Sequence, residues 1–308
     1  MDIASFREYL VKKRKKNGER LAKSSIERYT EHLSHYQNKI EECKTDEELV
    51  ACINGIVKRT SSIVVYSALC QYLTFVGKEN LWELVPLPAK RAVSASSKRM
   101  LQSKVLTRQE LSKMLNEAKD LQTRCLFSVL YDTACRATEV VPGEDGEGGI
   151  RICDITLVKS EEEKKKGIYA EVRVLGKGRK YRTVYIGKNS LALIRQMLKE
   201  RKRQPIRKRD LLFEFFKDKE EQKPYPNLYA AMYRLIVSEC ERILGRHIHP
   251  HCLRHTKATH MAEAGANLID IMAYLGHDDE KTAKIYVEIS PSMGKNAFEK
   301  YHREISED

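Results

Sequence analysis

Residues 249–289 read HPHCLRHTKATHMAEAGANLIDIMAYLGHDDEKTAKIYVEI, and the side chains that carry chemistry are concentrated there. His251 and Arg254 stand three residues apart and so share one face of a helix. Pro250 suits the first turn of that helix, the end at which free backbone N–H groups and the helix dipole receive anions. The pair is a phosphate-sized arrangement. Asn267 is placed to cap a second helix, in which Leu268, Ile271, Met272 and Leu275 form a one-sided apolar stripe, and Gly276 ends it. His277 then lies just past a helix C-terminus, where the dipole favours an imidazolium. Asp278 or Asp279 caps the next short helix, which carries Tyr286. That tyrosine is either a nucleophile aimed at the phosphate or a packing aromatic, and each histidine is either a site residue or a satisfied structural one.

Working outward, 308 residues suffice for two domains of ordinary size, and a 42% hydrophobic share supplies a core for each. The 56 basic residues outnumber the 43 acidic ones and leave a formal charge of +13. A basic surplus makes nucleic acid the first partner to consider, because neutralising phosphates releases counterions, although a solvated basic surface would have the same composition. The cysteines at 43, 52, 70, 125, 135, 153, 240 and 252 form no CxxC pair and no zinc spacing, which points to reduced core thiols of a cytosolic protein. The basic run from Lys12 to Lys16 is followed by no apolar segment of signal-peptide length, and no run approaches a membrane span. A cytoplasmic, DNA-associated protein is expected.

From the N-terminus, residues 1–88 read as a small all-helical domain. Ile26, Tyr29 and Leu33 recur at helical spacing, Thr45 to Glu48 resembles an acidic helix start, and Ile63 to Leu73 suit another one-sided helix. The basic run VKKRKKNGER (11–20) is either a DNA-contacting arm or a solvated helix end. Composition changes across 86–100, where prolines, serines and basic residues replace the periodicity, and a linker is placed at 89–104. A second domain is expected over 105–290, opening with a capping box between Thr107 and Glu110. Its next helix runs from Leu121 and reaches Arg136, an arginine among apolar residues that needs an anion or an acid such as Glu139, one turn on.

A glycine-rich acidic loop, PGEDGEGG (142–149), precedes three short segments rich in Ile and Val, 150–158, 168–175 and 181–186. They read as a small antiparallel sheet with Lys177 at the tip of its last hairpin. A lysine there is either a flexible arm able to reach a phosphodiester or a solvated turn residue, and the turn is no P-loop. Helices resume over 190–202 and 228–244, with the basic stretch 199–210 as a loop or a DNA-facing surface. The fold class is therefore mainly α with a small antiparallel β-sheet.

With Arg136, Lys177, His251, Arg254, His277 and Tyr286 read in chain order, the sequence resembles the tyrosine recombinase family, the Xer and phage-integrase type of site-specific DNA recombinase. The most specific part is HCLRHTKATHM against the family's HxLRHTxATH(M/L), then Leu275-Gly276-His277, then Tyr286 nine residues after that histidine. The segment GKGRKYRTVYI looks like the family's GKG-x-K-x-R hairpin. Three features depart from the pattern: TACR stands before the first arginine in place of TGLR, Lys257 occupies a place that is often aromatic, and the loop 142–149 looks inserted.

The resemblance implies a core-binding, DNA-clamping domain at 1–88, a catalytic domain at 105–290, and a tail helix at 291–308 exchanged between protomers. It implies Tyr286 as nucleophile, Arg136 and Arg254 on the phosphate oxygens, Lys177 as general acid, and His251 and His277 dividing the roles of base and phosphate stabiliser. The implied partners are double-stranded DNA with a specific recombination site and a tetrameric synapse on it. No metal, ATP or other cofactor is expected, and no acidic cluster suggests a two-metal site. A type IB topoisomerase and a catalytically silent DNA-binding regulator are the alternatives.

Overall fold

A computed structural model describes residues 2–15, 18, 20–88, 102–143, 146–158, 169–176, 179–201, 205–218, 220 and 223–276. Lys177, His277, Tyr286, most of the linker and the tail helix lie outside the described residues. The chain divides into two compact units, 1–92 and 93–308. Among the described residues no helix is long and apolar enough to cross a membrane.

The first unit packs four helices, α1 (Ile3–Lys12), α2 (Lys23–Glu41), α3 (Asp46–Thr60) and α4 (Ile63–Phe75), followed by a 3-10 turn at Glu79–Leu84. Three of the four starts have a side-chain cap. Asp2 accepts from the Ala4 N–H at 2.9 Å, Thr45 and Glu48 form a reciprocal capping box, and Ser62 caps α4. Phe6, Leu10, Leu33, Ile53 and Leu73 are fully buried, with Phe6 set edge-on to Phe75 at 5.5 Å between centroids. After α1 the basic run turns back on itself, with Arg14 bridged to Arg20 and donating to the Gly18 carbonyl at 3.0 Å.

In the second unit, α5 (Arg108–Glu117), α6 (Leu121–Thr133) and the one-turn α7 (Ala137–Val140) precede an antiparallel sheet of β1 (Ile155–Val158), β2 (Tyr169–Leu175) and β3 (Tyr181–Ile186) in that order. Val172 faces Val184 and Ala170 faces Ile186, so the alternate residues of β2 and β3 bury one face against the core. Then come α8 (Lys188–Glu200), a two-stranded ribbon of β4 (Phe216–Asp218) and β5 (Lys223–Pro224), α9 (Leu228–Leu244), α10 (Pro250–Glu263) and α11 (Leu268–Leu275). The fold is mainly α with small antiparallel sheets.

Four details differ from the sequence reading. The first strand begins at Ile155, because Ile150 and Ile152 bond instead with Leu212 and Asp210, and residues 152–154 close a 3-10 turn. The helix from Leu121 stops at Thr133, where Ala134 turns left-handed at φ 47°, so Arg136 opens a separate short helix. Helix α8 starts two residues early, because Asp132 accepts from the Gly187 N–H at 3.1 Å and the Ser190 hydroxyl at 2.5 Å. The β4–β5 ribbon was not foreseen.

Helix α10 is the axis of this unit. Residues on almost every side of it are buried, including Cys252, Leu253, Thr256, Ala258 and His260, and it packs against α6 and α11. Two of its buried polar side chains are tied to the segment that enters the unit. Thr256 Oγ1 accepts from the Leu106 N–H at 3.0 Å and donates to the Cys252 carbonyl at 2.8 Å. His260 pairs through Nδ1 with the Tyr131 hydroxyl and through Nε2 with the Leu106 carbonyl, each at 2.9 Å. The chain entering the unit is thereby fastened to α10. Thr256→Val keeps the shape but leaves the Leu106 N–H buried and unsatisfied, so it should lower stability by about 1–3 kcal/mol in urea unfolding. Thr256→Ser should retain most of it.

Candidate active site

The left-handed turn at Ala134 brings Arg136 out of α6 and into the first turn of α7, with its side chain 31% exposed. Glu139 holds it from one turn on, accepting from the Arg136 backbone N–H at 2.7 Å and from Nη1 at 3.0 Å. Glu139 is only 2% exposed and also receives both terminal nitrogens of Arg182, which projects from β3, Nη2 at 2.8 Å and Nη1 at 2.5 Å. Burial works against a charge on Glu139, but the Arg182 guanidinium, and Arg136 after it, outweigh that and hold its pKa below the usual carboxylate value.

Arg182 reaches a further segment. Gly276 ends α11 in a left-handed conformation at φ 63°, and a Cβ there would stand 2.7 Å from Arg182 Cδ and 2.9 Å from its Nε. The glycine before His277 is thus required twice, by its backbone angle and by the arginine packed on it.

Arg254 lies on α10 and is fully buried. Its Nη1 donates to the Ala134 carbonyl at 2.6 Å and its Nη2 to the Leu275 carbonyl at 2.7 Å. One guanidinium therefore joins the residue two before Arg136 to the residue two before His277. The resemblance places Arg254 on the phosphate oxygens; in the structure its two terminal nitrogens hold backbone oxygens.

His251 sits on the first turn of α10, exposed at the surface, with its ring 4.4 Å from that of His255, centroid to centroid, in an edge-on arrangement. Crowding by surrounding atoms, with the positive influence of Arg254, His249 and Arg136, pushes its pKa down to about 4. The imidazole is neutral at neutral pH, able to accept one proton or to donate one hydrogen bond. Arg136, His251 and Arg254 are thus brought into one electrostatic neighbourhood. Among the described residues no group of three or more His, Cys, Asp or Glu is arranged to hold a metal ion.

The phage integrase family model matches residues 104–293, the whole of this neighbourhood. The chain belongs to that family, the tyrosine recombinases. Its relatives include tyrosine recombinase XerC of Corynebacterium glutamicum, 31% identical over 188 residues that make up 61% of this chain and 53% of that protein. Tyrosine recombinase XerD of Yersinia pestis is 26% identical over 81% of this chain and 78% of its own length. The chain spans about half the length of the first of these and rather more of the second. Two solved structures share the fold. The XerH site-specific recombinase bound to difH substrate superposes with a TM-score of 0.60 at 20% identity, over 89% of this chain and 79% of that one. A lambda integrase dimer bound to a COC′ core site does so at 0.57 and 13%, over 92% and 93%.

Within this phage integrase domain, the structure brings the expected Arg136, His251 and Arg254 near one another, held by groups that had no assigned role. Arg182 stood in the sequence as the last arginine of the GKG-x-K-x-R segment, with no sign that it would turn inward to Glu139. His260 stood in the quoted motif without a role; its two bonds make it structural. Lys257, where an aromatic residue is usual by the resemblance, puts its ammonium 4.8 Å from the Tyr131 ring centroid and 5.4 Å from that of Tyr274.

Two outcomes are expected. Because the folded pKa of His251 lies below the unfolded value of 6.5, its contribution to stability is present above pH 6.5 and is lost as the pH falls towards about 4. Its imidazole C–H resonance should titrate with a midpoint of about 4, and a midpoint near that of a free histidine would contradict the crowding described. Gly276→Ala should cost more than about 1 kcal/mol, from the left-handed backbone alone, in thermal or chemical unfolding.

Proposed function

We propose that this chain is a site-specific DNA recombinase that cuts and rejoins strands through a 3′-phosphotyrosine at Tyr286. The observation that carries the reading is the pair of hydrogen bonds from Arg254 to the Ala134 and Leu275 carbonyls, which draws the segments leading to Arg136 and to His277 onto the helix that bears His251. Residues far apart in the chain are gathered around a cationic centre, as a reaction at an anionic phosphorus requires.

In the proposed reaction the Tyr286 oxygen, a poor nucleophile as a phenol with a pKa of about 10, attacks the scissile phosphorus as a phenolate. The bond from phosphorus to the 5′ oxygen breaks, and Lys177 protonates the leaving oxygen. The energy of the broken ester is kept in the phosphotyrosine, so a 5′ hydroxyl of another strand can reverse the step without ATP. The extra negative charge of the pentavalent state falls to Arg136, which has solvent access, and to Arg254, whose buried charge acts from beneath. A preorganised donor of this kind is commonly worth about 3–4 kcal/mol of barrier. His251, neutral at pH 7, is suited to take the tyrosine proton, with His277 hydrogen-bonded to the phosphate.

The partners follow from the same reading. Duplex DNA carrying a recombination site is the substrate, the helical domain 1–88 is its core-binding, DNA-clamping domain, and the tail 291–308 docks on a neighbouring protomer in a four-membered synapse. The relatives' names as recombinases, and the DNA in the XerH and lambda integrase complexes, support this choice of substrate. A suicide substrate, nicked so that the cleaved end diffuses away, tests the central step. The wild-type chain should form a covalent protein–DNA adduct and Tyr286→Phe should form none. An adduct that persisted in the variant would remove Tyr286 as the nucleophile.

A further inference from the structure

One acid of the loop 142–149 engages this chain's own hairpin. The Glu147 carboxylate accepts a hydrogen bond from Arg179 Nη2, in the turn that joins β2 to β3. That turn, residues 176–180, includes Lys177, and Arg179 within it is held left-handed at φ 59°. Its ends are closed by the Gly176 N–H donating to the Lys180 carbonyl at 2.8 Å.

The loop is itself moored at its base. Gly149 and Ile150 donate to the carbonyls of Thr138 and Val140 in α7, at 3.2 and 3.1 Å, and the Gly143 N–H donates to the Glu147 carbonyl at 3.0 Å. Gly148 is pressed so close to α7 that a Cβ would stand 2.2 Å from the Thr138 oxygen. Glu147 therefore reaches the hairpin from a base fixed to the same short helix that carries Glu139. Two struts leave this helix region for the hairpin: the buried one from Glu139 to Arg182 on β3, and the exposed one from Glu147 to Arg179 in the turn.

We propose that Glu147 is a positioning residue, its ion pair with Arg179 bracing the Lys177-bearing turn against the segment that carries Arg136. The buried strut fixes β3 but not the turn beyond it. A lysine on an unbraced hairpin tip would sample many positions, and proton delivery to a leaving oxygen needs the ammonium within hydrogen-bond reach at the moment of bond cleavage. The brace restricts that sampling. Glu147 touches neither DNA nor the reacting atoms in this role; it acts through Arg179 and the turn. Because the pair is exposed, its effect is small, of the size that exposed ion pairs allow.

The inference rests on the proposed role of Lys177 as general acid, and the test separates the two. Single-turnover cleavage is measured with a suicide substrate carrying either the ordinary phosphodiester or a 5′-bridging phosphorothiolate, whose thiolate leaves without needing a proton. Glu147→Gln should slow cleavage of the phosphodiester by up to about fivefold and leave the phosphorothiolate rate at the wild-type value. Lys177→Ala, as the control, should lose far more on the phosphodiester and recover on the phosphorothiolate. A Glu147→Gln loss that is equal on both substrates, or no loss on the phosphodiester, overturns the inference while a recovering Lys177→Ala leaves the general acid in place. If Lys177→Ala does not recover, the role of Lys177 fails and the brace fails with it.

Discussion

A guanidinium without access to water is costly unless its donors find acceptors, and the second unit is built around one such group. Arg254 sits on the most enclosed helix of the unit, and its two terminal nitrogens end on carbonyls from two other elements. Neither carbonyl is spare by accident. Ala134 has left α6 through a left-handed residue, and Leu275 is in the last turn of α11, so both oxygens lack the helical partners they would have mid-helix. The arginine satisfies helix-end acceptors, and the helix ends satisfy the arginine. If either end moved, a buried charge and a buried carbonyl would be left unpaired together, which explains why the segments before Arg136 and before His277 are held at fixed places.

The same logic extends outward through Glu139. It is the acid against which Arg136 and Arg182 are both set, and Arg182 in turn lies on Gly276. The chain thus closes from α7 to β3 to the end of α11 and back through Arg254 to Ala134. Each contact constrains the next, and the one residue in the ring with no side chain is the one that could not have had one. Such a ring favours rigidity over strength, since buried ion pairs contribute little net stability compared with apolar packing. Its value lies in geometry.

Much of this architecture was legible in the sequence, for reasons that differ between elements. Helix α9 matched its expected bounds because its apolar stripe is long and Asn227 and Gly245 mark its ends; α11 did so because Asn267 and Gly276 do the same. Strands β2 and β3 were legible from alternation on either side of a glycine turn. The β4–β5 ribbon was not, since strands of three and two residues carry no period, and the residues just before β1 were misread because their partners at 208–212 are set by tertiary packing. At the site, Arg136, His251 and Arg254 could be found from residue type and order, and the Arg136–Glu139 pair from its spacing of one turn. The pairings of Arg182 and Glu147 could not, because their partners lie 43 and 32 residues away in the chain and no local rule connects them.

Charge at the centre remains to be balanced. Among the described residues, Arg136 and Arg182 share the buried carboxylate of Glu139, while the fully buried Arg254 donates to two backbone carbonyls. Desolvation by the surrounding atoms, and after it the charges of Arg254, His249 and Arg136, push the His251 pKa down. The part of that shift owed to the arginines comes from a field that also favours a negative charge, whereas the part owed to desolvation disfavours charge of either sign. Adding a second carboxylate would quiet the repulsion among the arginines but remove that preference. Among the described residues, Glu139 is thus enough to assemble Arg136 and Arg182, and the charge of these arginines is what a phosphodiester in the proposed reaction would meet.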